Sequence, residues 1–171
     1  MGQSAETEKS FLTFYDQFAE PIFRHCYFRV SSREVAEDVT QETFLRVWNY
    51  LAKGETIDNP KAFLYRIAGN LIIDYYRKKK EMSLDLLSDE GFNPVGDDAS
   101  TTINFVEGQY ALRIIQKLES PYREALIMKY VDNLSIGDIA RIVGESENTV
   151  SVRIHRAVEK LKKIFHHEKS S

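Results

Sequence analysis

Between residues 83 and 108 the regular spacing of apolar residues stops, and this gap confines the rest of the chain to two small folds. The stretch carries Gly91, Asn93-Pro94, Gly96, Asp97-Asp98, Ser100 and two threonines. Such turn-forming residues without apolar period read as a flexible linker. The flanking parts, 8–82 and 109–166, each fall below the ~100–150 residues of a common domain. Each must therefore close a core with a few short elements. Apolar residues in both recur at three- and four-residue steps, the period of a helix face. No alternating strand pattern competes. The expected fold is all-α: two small helical domains joined by a flexible acidic linker.

In the first part, Phe11, Phe14, Tyr15, Phe18, Ile22, Cys26 and Val30 mark one helix face, which Pro21 is expected to kink or interrupt. A second helix is predicted from Ser32 to about Leu51, with Ala36, Val39, Thr43, Val47 and Leu51 inward and Gly54 closing it. Asn59-Pro60 supplies a cap and a first helical residue for a third, which buries Phe63, Ile67, Ala68, Leu71, Ile72 and Tyr75. The second part repeats this with shorter helices: about 107–118, one capped by Ser120-Pro121, Ser135 to Val143, and Ser146 to about Phe165.

The net charge of −3 argues against a polyanion partner only as an average. Residues 81–109 hold seven acids and no Lys or Arg, which leaves 19 of the 26 acids to face all 23 bases elsewhere. The distribution of charge, not its total, decides where nucleic acid sits.

The segment SIGDIARIVGESENTVSVRIHRAVEKLKK, residues 135–163, reads as a helix-turn-helix. Ser135 and Asp138 suit a capping box. Gly144 suits the tight turn, and Ser146 suits the second cap. Val150, Ile154, Ala157, Val158, Leu161 and Ile164 point inward, leaving Glu147, Asn148, Ser151, Val152, Arg153, His155 and Arg156 outward. Arg reads guanine through two hydrogen bonds, Asn and His read base edges, and Val meets a thymine methyl. Lys160, Lys162 and Lys163 suit phosphates. An ordinary helical hairpin with a solvated basic face is the plainer alternative.

On the second helix, Glu34, Glu37, Asp38, Gln41, Glu42 and Asn49 oppose the apolar stripe, with Arg46 nearby. Such a face suits a basic partner, or water alone. The third helix carries Arg77-Lys78-Lys79-Lys80, with Tyr65, Arg66, Asn70 and Tyr76 off its buried stripe. Aromatic and cationic groups suit unpaired bases and phosphates. A basic run at a helix end is equally ordinary compensation of the helix dipole, and Asn70 with Asp74 is equally a structural pair.

AEDVTQETFLRVW (36–48), NPKAFLYRIAGNLIIDYYRKKK (59–80) and SPYREALIMKYVDNLSIGDIARIVGESENTVSVRIHRAVEKL (120–161) together resemble the bacterial sigma factors of the extracytoplasmic-function group, over nearly the whole chain outside the tail and linker. The resemblance implies that 8–82 binds core RNA polymerase through Asp38, Gln41, Glu42 and Arg46. It implies that Tyr65, Arg66, Asn70, Tyr76, Arg77 and Lys78, with the loop from Gly54 to Asn59, hold the opened −10 element. It implies that 109–166 reads the −35 element through Asn148, Thr149, Ser151, Val152, Arg153, His155, Arg156 and Lys160. Such factors commonly have an anti-sigma partner. The chain departs from the family's habit at Glu145, often aliphatic, at Ser151, often basic, and at Val152, often small and polar, so an unusual promoter is expected. The linker acids are expected to mimic nucleic acid in the polymerase channel.

No phosphate loop, zinc motif or catalytic constellation appears, so no enzyme activity, cofactor or metal is expected. Adjacent His166-His167 reads as a frayed tail. Cys26, the single cysteine, reads as a small core residue. The first ten residues are polar, and no run nears the ~18–20 apolar residues of a membrane span, so a cytoplasmic protein without membrane insertion is expected. A polymerase-independent helix-turn-helix regulator, usually dimeric, and a helical protein-interaction module are the rival functions.

Overall fold

The computed structural model describes residues 2–30, 32–85, 110, 111 and 113–171. It is all-α, with no strand among those residues. The chain divides into two compact units, Met1–Asp98 and Ala99–Ser171. Most of the expected linker lies outside the described residues. No helix among them is long and apolar enough to cross a membrane.

Three helices build the first unit: α1 (Gly2–Val30), α2 (Arg33–Ala52) and α3 (Pro60–Asp85). The expected interruption at Pro21 does not occur; α1 runs through it. An interior proline costs about 3 kcal/mol. Offsetting it, Phe18, Ile22, Cys26 and Val30, four residues apart on one helix face, are all buried, and a large buried side chain contributes about 1.5–3 kcal/mol. Further up α1, Phe11 meets Trp48 edge-on at 5.3 Å and Tyr15 meets Phe44 at 5.0 Å, fastening α1 to α2. Ser32 caps α2 by accepting from the Val35 N–H, and Asn59 caps α3 by accepting from the Ala62 N–H at 3.0 Å. Thr43 is fully buried, and its hydroxyl donates to the Val39 carbonyl at 2.7 Å, so a polar residue sits in the core without an unmet bond.

α3 departs from expectation in two ways. It continues past Lys80 to Asp85. Its most deeply buried residues are Ala62, Leu64, Tyr65, Ala68 and Ile72; Ala68 and Ile72 belong to the predicted stripe, Ala62, Leu64 and Tyr65 lie outside it, and Phe63, Ile67, Leu71 and Tyr75 are half-buried. From Tyr76 to Leu84 every residue is exposed, so the end of α3 overhangs the bundle.

In the second unit, a helical turn over 113–115 places Ile114 inward, and Leu118 follows it into the core. Of the helix expected over 107–118, Leu112 lies outside the described residues, and Ala111 is exposed. Helix α4 (Ser120–Leu126) is capped at Glu119, not at Ser120, and no side chain bonds the cap. Pro121 beside the start removes one N–H that would need an acceptor. A widened π turn, Ile127–Val131, continues α4. It ends at Asn133, whose φ of 54° turns the chain toward α5 (Ile136–Val143). Gly144 and α6 (Glu147–Lys169) complete the unit. His166 and His167 lie within α6 rather than in a frayed tail. Tyr122, Val158, Leu161 and Ile164 pack on a core of Leu118, Leu126 and Ala157.

The far end of α6 is fastened by Glu168, which accepts from the Lys117 ammonium and, at 3.2 Å, from the Tyr110 hydroxyl. The Lys117 hydrogen bond holds the Glu168 carboxyl below its ordinary value of 4.5. Partial burial and the bond to Glu168 hold Tyr110 above its ordinary 10.0. The carboxyl's contribution is therefore complete above about pH 4.5 and lost as the pH falls through the lower folded value. Amide exchange in the last turn of α6 is expected to quicken on acidification through that window, and Glu168→Gln is expected to remove the pH dependence.

Asn133 occupies a left-handed conformation that Asn tolerates and β-branched residues do not. Asn133→Val is expected to destabilise the second unit by about 1–2 kcal/mol, and Asn133→Gly to leave it unchanged or firmer, as read by calorimetric melting.

Candidate nucleic-acid and partner interfaces

The second unit builds a short, rigid turn between two capped helices. The Ser135 hydroxyl accepts from the Asp138 N–H at 3.0 Å, starting α5. Gly144 stops it at φ 71°, and both Gly144 and Glu145 donate to the Ala140 carbonyl. The Ser146 hydroxyl then accepts from the Thr149 N–H at 3.1 Å and lies 2.8 Å from the Thr149 hydroxyl, starting α6. Thr149 is thus engaged in the cap as well as exposed.

Val150, Ile154 and Ala157 are buried, which turns the opposite side of α6 to solvent. Asn148, Ser151, Val152, His155 and Arg156 are all exposed there. Val152 is 42% exposed, an apolar group held in water. Arg153 is different. It is only partly exposed and forms a fork with Glu145, Nη1 to Oε2 at 2.7 Å and Nη2 to Oε1 at 2.9 Å. The Lys160 ammonium rests 4.9 Å from the centre of the Tyr122 ring, a cation-π contact inside the unit.

In the first unit, Asp38 and Gln41 are exposed on α2. Glu42 is tied to Arg46 at 2.9 Å, and Glu37 to Arg33 at 2.9 Å. Exposed i,i+4 pairs of this kind contribute only about 0.3–0.5 kcal/mol and yield easily to a partner. Leu45 is 52% exposed, one turn on from Gln41. Its apolar character in a polar stripe gave no sign in the sequence, because an exposed leucine and a core leucine have the same spacing near a stripe's edge.

On α3, Arg66, Asn70 and Arg77 are exposed at helical spacing on one side, and Ile73, 66% exposed, lies among them. Tyr76 and Lys78 are exposed but fall off that stripe, and the Tyr76 hydroxyl donates to the Arg29 carbonyl. Asp74 pairs with Arg77 at 3.1 Å rather than with Asn70. The cations stand before the last turn of α3, which holds no base, so compensation of the helix dipole does not account for them. The loop before α3 exposes Gly54, Glu55, Thr56 and Asp58.

Tyr65 must be corrected. It was expected off the buried stripe, but it is 2% exposed and its ring meets the buried His25 ring edge-on at 4.9 Å. Tyr65 stands at the edge of the apolar arc, beside exposed Arg66, where spacing alone assigns it to neither side; its contact with His25 of α1 takes it inward. His25 was missed as a core residue, although it lies on the face of Ile22 and Cys26. Among the described residues, no group of three His, Cys, Asp or Glu residues is placed to hold a metal.

Comparison with known proteins agrees with these two units. The family Sigma-70 region 2 matches residues 14–82, and Sigma-70, region 4 matches 108–161. The ECF RNA polymerase sigma factor SigW of Bacillus subtilis is 30% identical over 166 residues, spanning 91% of this chain and 89% of that one. The RNA polymerase sigma factor SigZ of the same organism is 32% identical over 157 residues, spanning 88% and 84%. Among solved structures, the sigma factor RpoE bound to the anti-sigma factor NepR, from Bartonella quintana, shares the fold with a TM-score of 0.69 at 22% identity, over 92% of this chain and 98% of that one. CnrH in complex with the cytosolic domain of CnrY shares it with a TM-score of 0.67 at 20% identity, over 96% of each chain.

Because Tyr65 is a core residue, Tyr65→Ala is expected to cost about 3–5 kcal/mol of first-unit stability, and Tyr65→Phe under about 1.5 kcal/mol. Denaturant melts followed by circular dichroism read both. A selective loss of nucleic-acid binding with an unchanged melt would instead return Tyr65 to the surface.

Proposed function

The chain belongs to the extracytoplasmic-function group of RNA polymerase sigma factors, and on that premise we propose which of its residues perform each part of the work. A factor of this family directs promoter-specific transcription initiation through RNA polymerase. Sequence choice is its own contribution, and RNA synthesis belongs to the polymerase. We read the chain accordingly as a cytoplasmic, non-enzymatic protein needing no cofactor.

The reading face of α6 carries the proposal. Asn148, Ser151, Val152, His155 and Arg156 stand exposed on a helix whose opposite side is locked into a core. A helix presented in this way enters the major groove, with Arg156 donating to guanine, Asn148 and His155 meeting base edges and Val152 meeting a methyl group. We assign this face to the −35 element. Residues 109–166 form the proposed −35 domain and 8–82 the proposed core and −10 domain, joined through 83–108.

In the first unit we assign Asp38 and Gln41 to a basic surface of the core polymerase, with Glu42 and Arg46 beside them. Leu45 adds an apolar contact that water would otherwise surround. Arg66, Asn70 and Arg77, with Tyr76 and Lys78 on either side, are assigned to the opened −10 strand. Cations follow its phosphates, and Ile73 gives an unstacked base an apolar surface. Two of the solved relatives in this fold, RpoE and CnrH, are bound by NepR, an anti-sigma factor, and by the cytosolic domain of CnrY. We propose a partner of that kind for this chain. The polymerase-independent regulator is not favoured, because the first unit matches sigma-70 region 2 rather than a sensory domain.

Transcription in vitro with bacterial core polymerase and random promoter-sized DNA tests the assignment. New start sites sharing motifs near −35 and −10 are expected. Arg156→Ala is expected to weaken −35 recognition by about 1–3 kcal/mol at one base pair. Asp38→Ala with Gln41→Ala is expected to weaken core binding and leave duplex affinity of the free protein unchanged. Loss of duplex binding in that double variant would overturn the division of labour.

A further inference from the structure

Two arginines stand in the first turns of α6, and they are held differently. Among the described residues Arg156 has no carboxylate partner and is exposed, whereas the Arg153 side chain is 25% exposed and gripped by Glu145. Glu145 lies in the turn itself, between left-handed Gly144 and the cap Ser146. It reaches forward eight residues with both oxygens, 2.7 Å to Nη1 and 2.9 Å to Nη2. Such an end-on fork uses one N–H of each terminal nitrogen. The Nε–H and the adjacent Nη2–H remain, side by side, the pair of donors that matches the O6 and N7 acceptors of guanine.

The fork has two physical effects. It removes the rotamer freedom that lets a surface arginine follow any nearby phosphate, so less ordering remains to be done when a base is met. It also places a carboxylate beside the guanidinium, which cancels the attraction to phosphate and repels a backbone that approaches out of register. Both effects favour sequence over charge. The neighbouring cap does not depend on this carboxylate, because Ser146 bonds Thr149 through its own hydroxyl.

We propose that Glu145 is a specificity-determining positioning residue: its fork holds Arg153 so that the free edge of the guanidinium reads a base of the upstream element rather than a phosphate. The inference rests on the assignment of α6 to that element.

The test uses the full chain with bacterial core polymerase and a pool of random duplexes, followed by sequencing of the bound fraction. Wild type, Glu145→Ala, Arg153→Ala and the double variant are compared, together with affinity for a scrambled duplex across a salt series. Glu145→Ala is expected to lose roughly tenfold discrimination at one base pair. It is also expected to bind the scrambled duplex more tightly, with a salt slope steeper by about one as Arg153 turns to a phosphate. In the Arg153→Ala background, Glu145→Ala is expected to change neither quantity. Unchanged base preference and slope in Glu145→Ala would overturn the proposal. So would equal weakening on all sequences with a lowered melting point, the mark of a merely structural pair. If the wild-type complex enriches no upstream motif, the assignment of α6 fails first and the inference with it.

Discussion

Everything at the reading face depends on the rotational phase of α6, and three small contacts set that phase. Val150, Ile154 and Ala157 are almost wholly buried. A turn of the helix by one residue would swing the face by about 100° and expose them. The cost of that exposure, about 1.5–3 kcal/mol for each of the larger two, holds Asn148, Val152, His155 and Arg156 outward without any bond to those residues themselves. The caps then set the axial start. Ser146 ends the freedom of the chain after Gly144, so the exposed residues begin at a defined height as well as a defined angle.

The first unit solves a related problem with aromatic residues. α1 acts as its spine, and the edge-on contacts of Phe11 and Tyr15 with Trp48 and Phe44 fasten α2 along it. With their inner sides committed, α2 and α3 present different chemistry outward: carboxylates and amides on one, cations and an amide on the other. A single small bundle therefore offers one surface suited to a basic protein and another suited to a polyanion. The half-exposed side chains among them, Leu45 and Ile73, are apolar groups that a partner's contact would remove from water.

Local chemistry was legible in the sequence, and long-range packing was not. Asn59, Ser135 and Ser146 cap the helices they were expected to cap, and Gly144 makes the turn, because each acts through atoms three or four residues away. Pro21 does not interrupt α1, because its cost is local and the burial that offsets it comes from contacts with other helices. Tyr65 misled because it stands at the edge of the apolar arc of α3, where spacing assigns it to neither side; the ring of His25, from α1, takes it inward. The π turn at Ile127–Val131 and the extension of α3 to Asp85 leave no compositional mark. The outward residues of α6 were readable because their helix carries a clear apolar stripe. The Glu145–Arg153 fork was not, since residues eight apart meet only through the shape of the turn.

The overhang of α3 carries a thermodynamic consequence. Past the bond of Tyr76 to the Arg29 carbonyl, residues 77–84 are all exposed, so the helical state there rests mainly on local propensity and on neighbours along α3 itself. Four adjacent cations, Arg77 to Lys80, repel one another and oppose that state. A polyanion laid along them cancels the repulsion. Part of the free energy of contact then appears as order in the helix itself, and by linkage whatever firms the helix beforehand tightens the contact by the same amount. For any polyanion laid along these last turns, the order of the helix and the strength of the contact would be two faces of one coupled equilibrium.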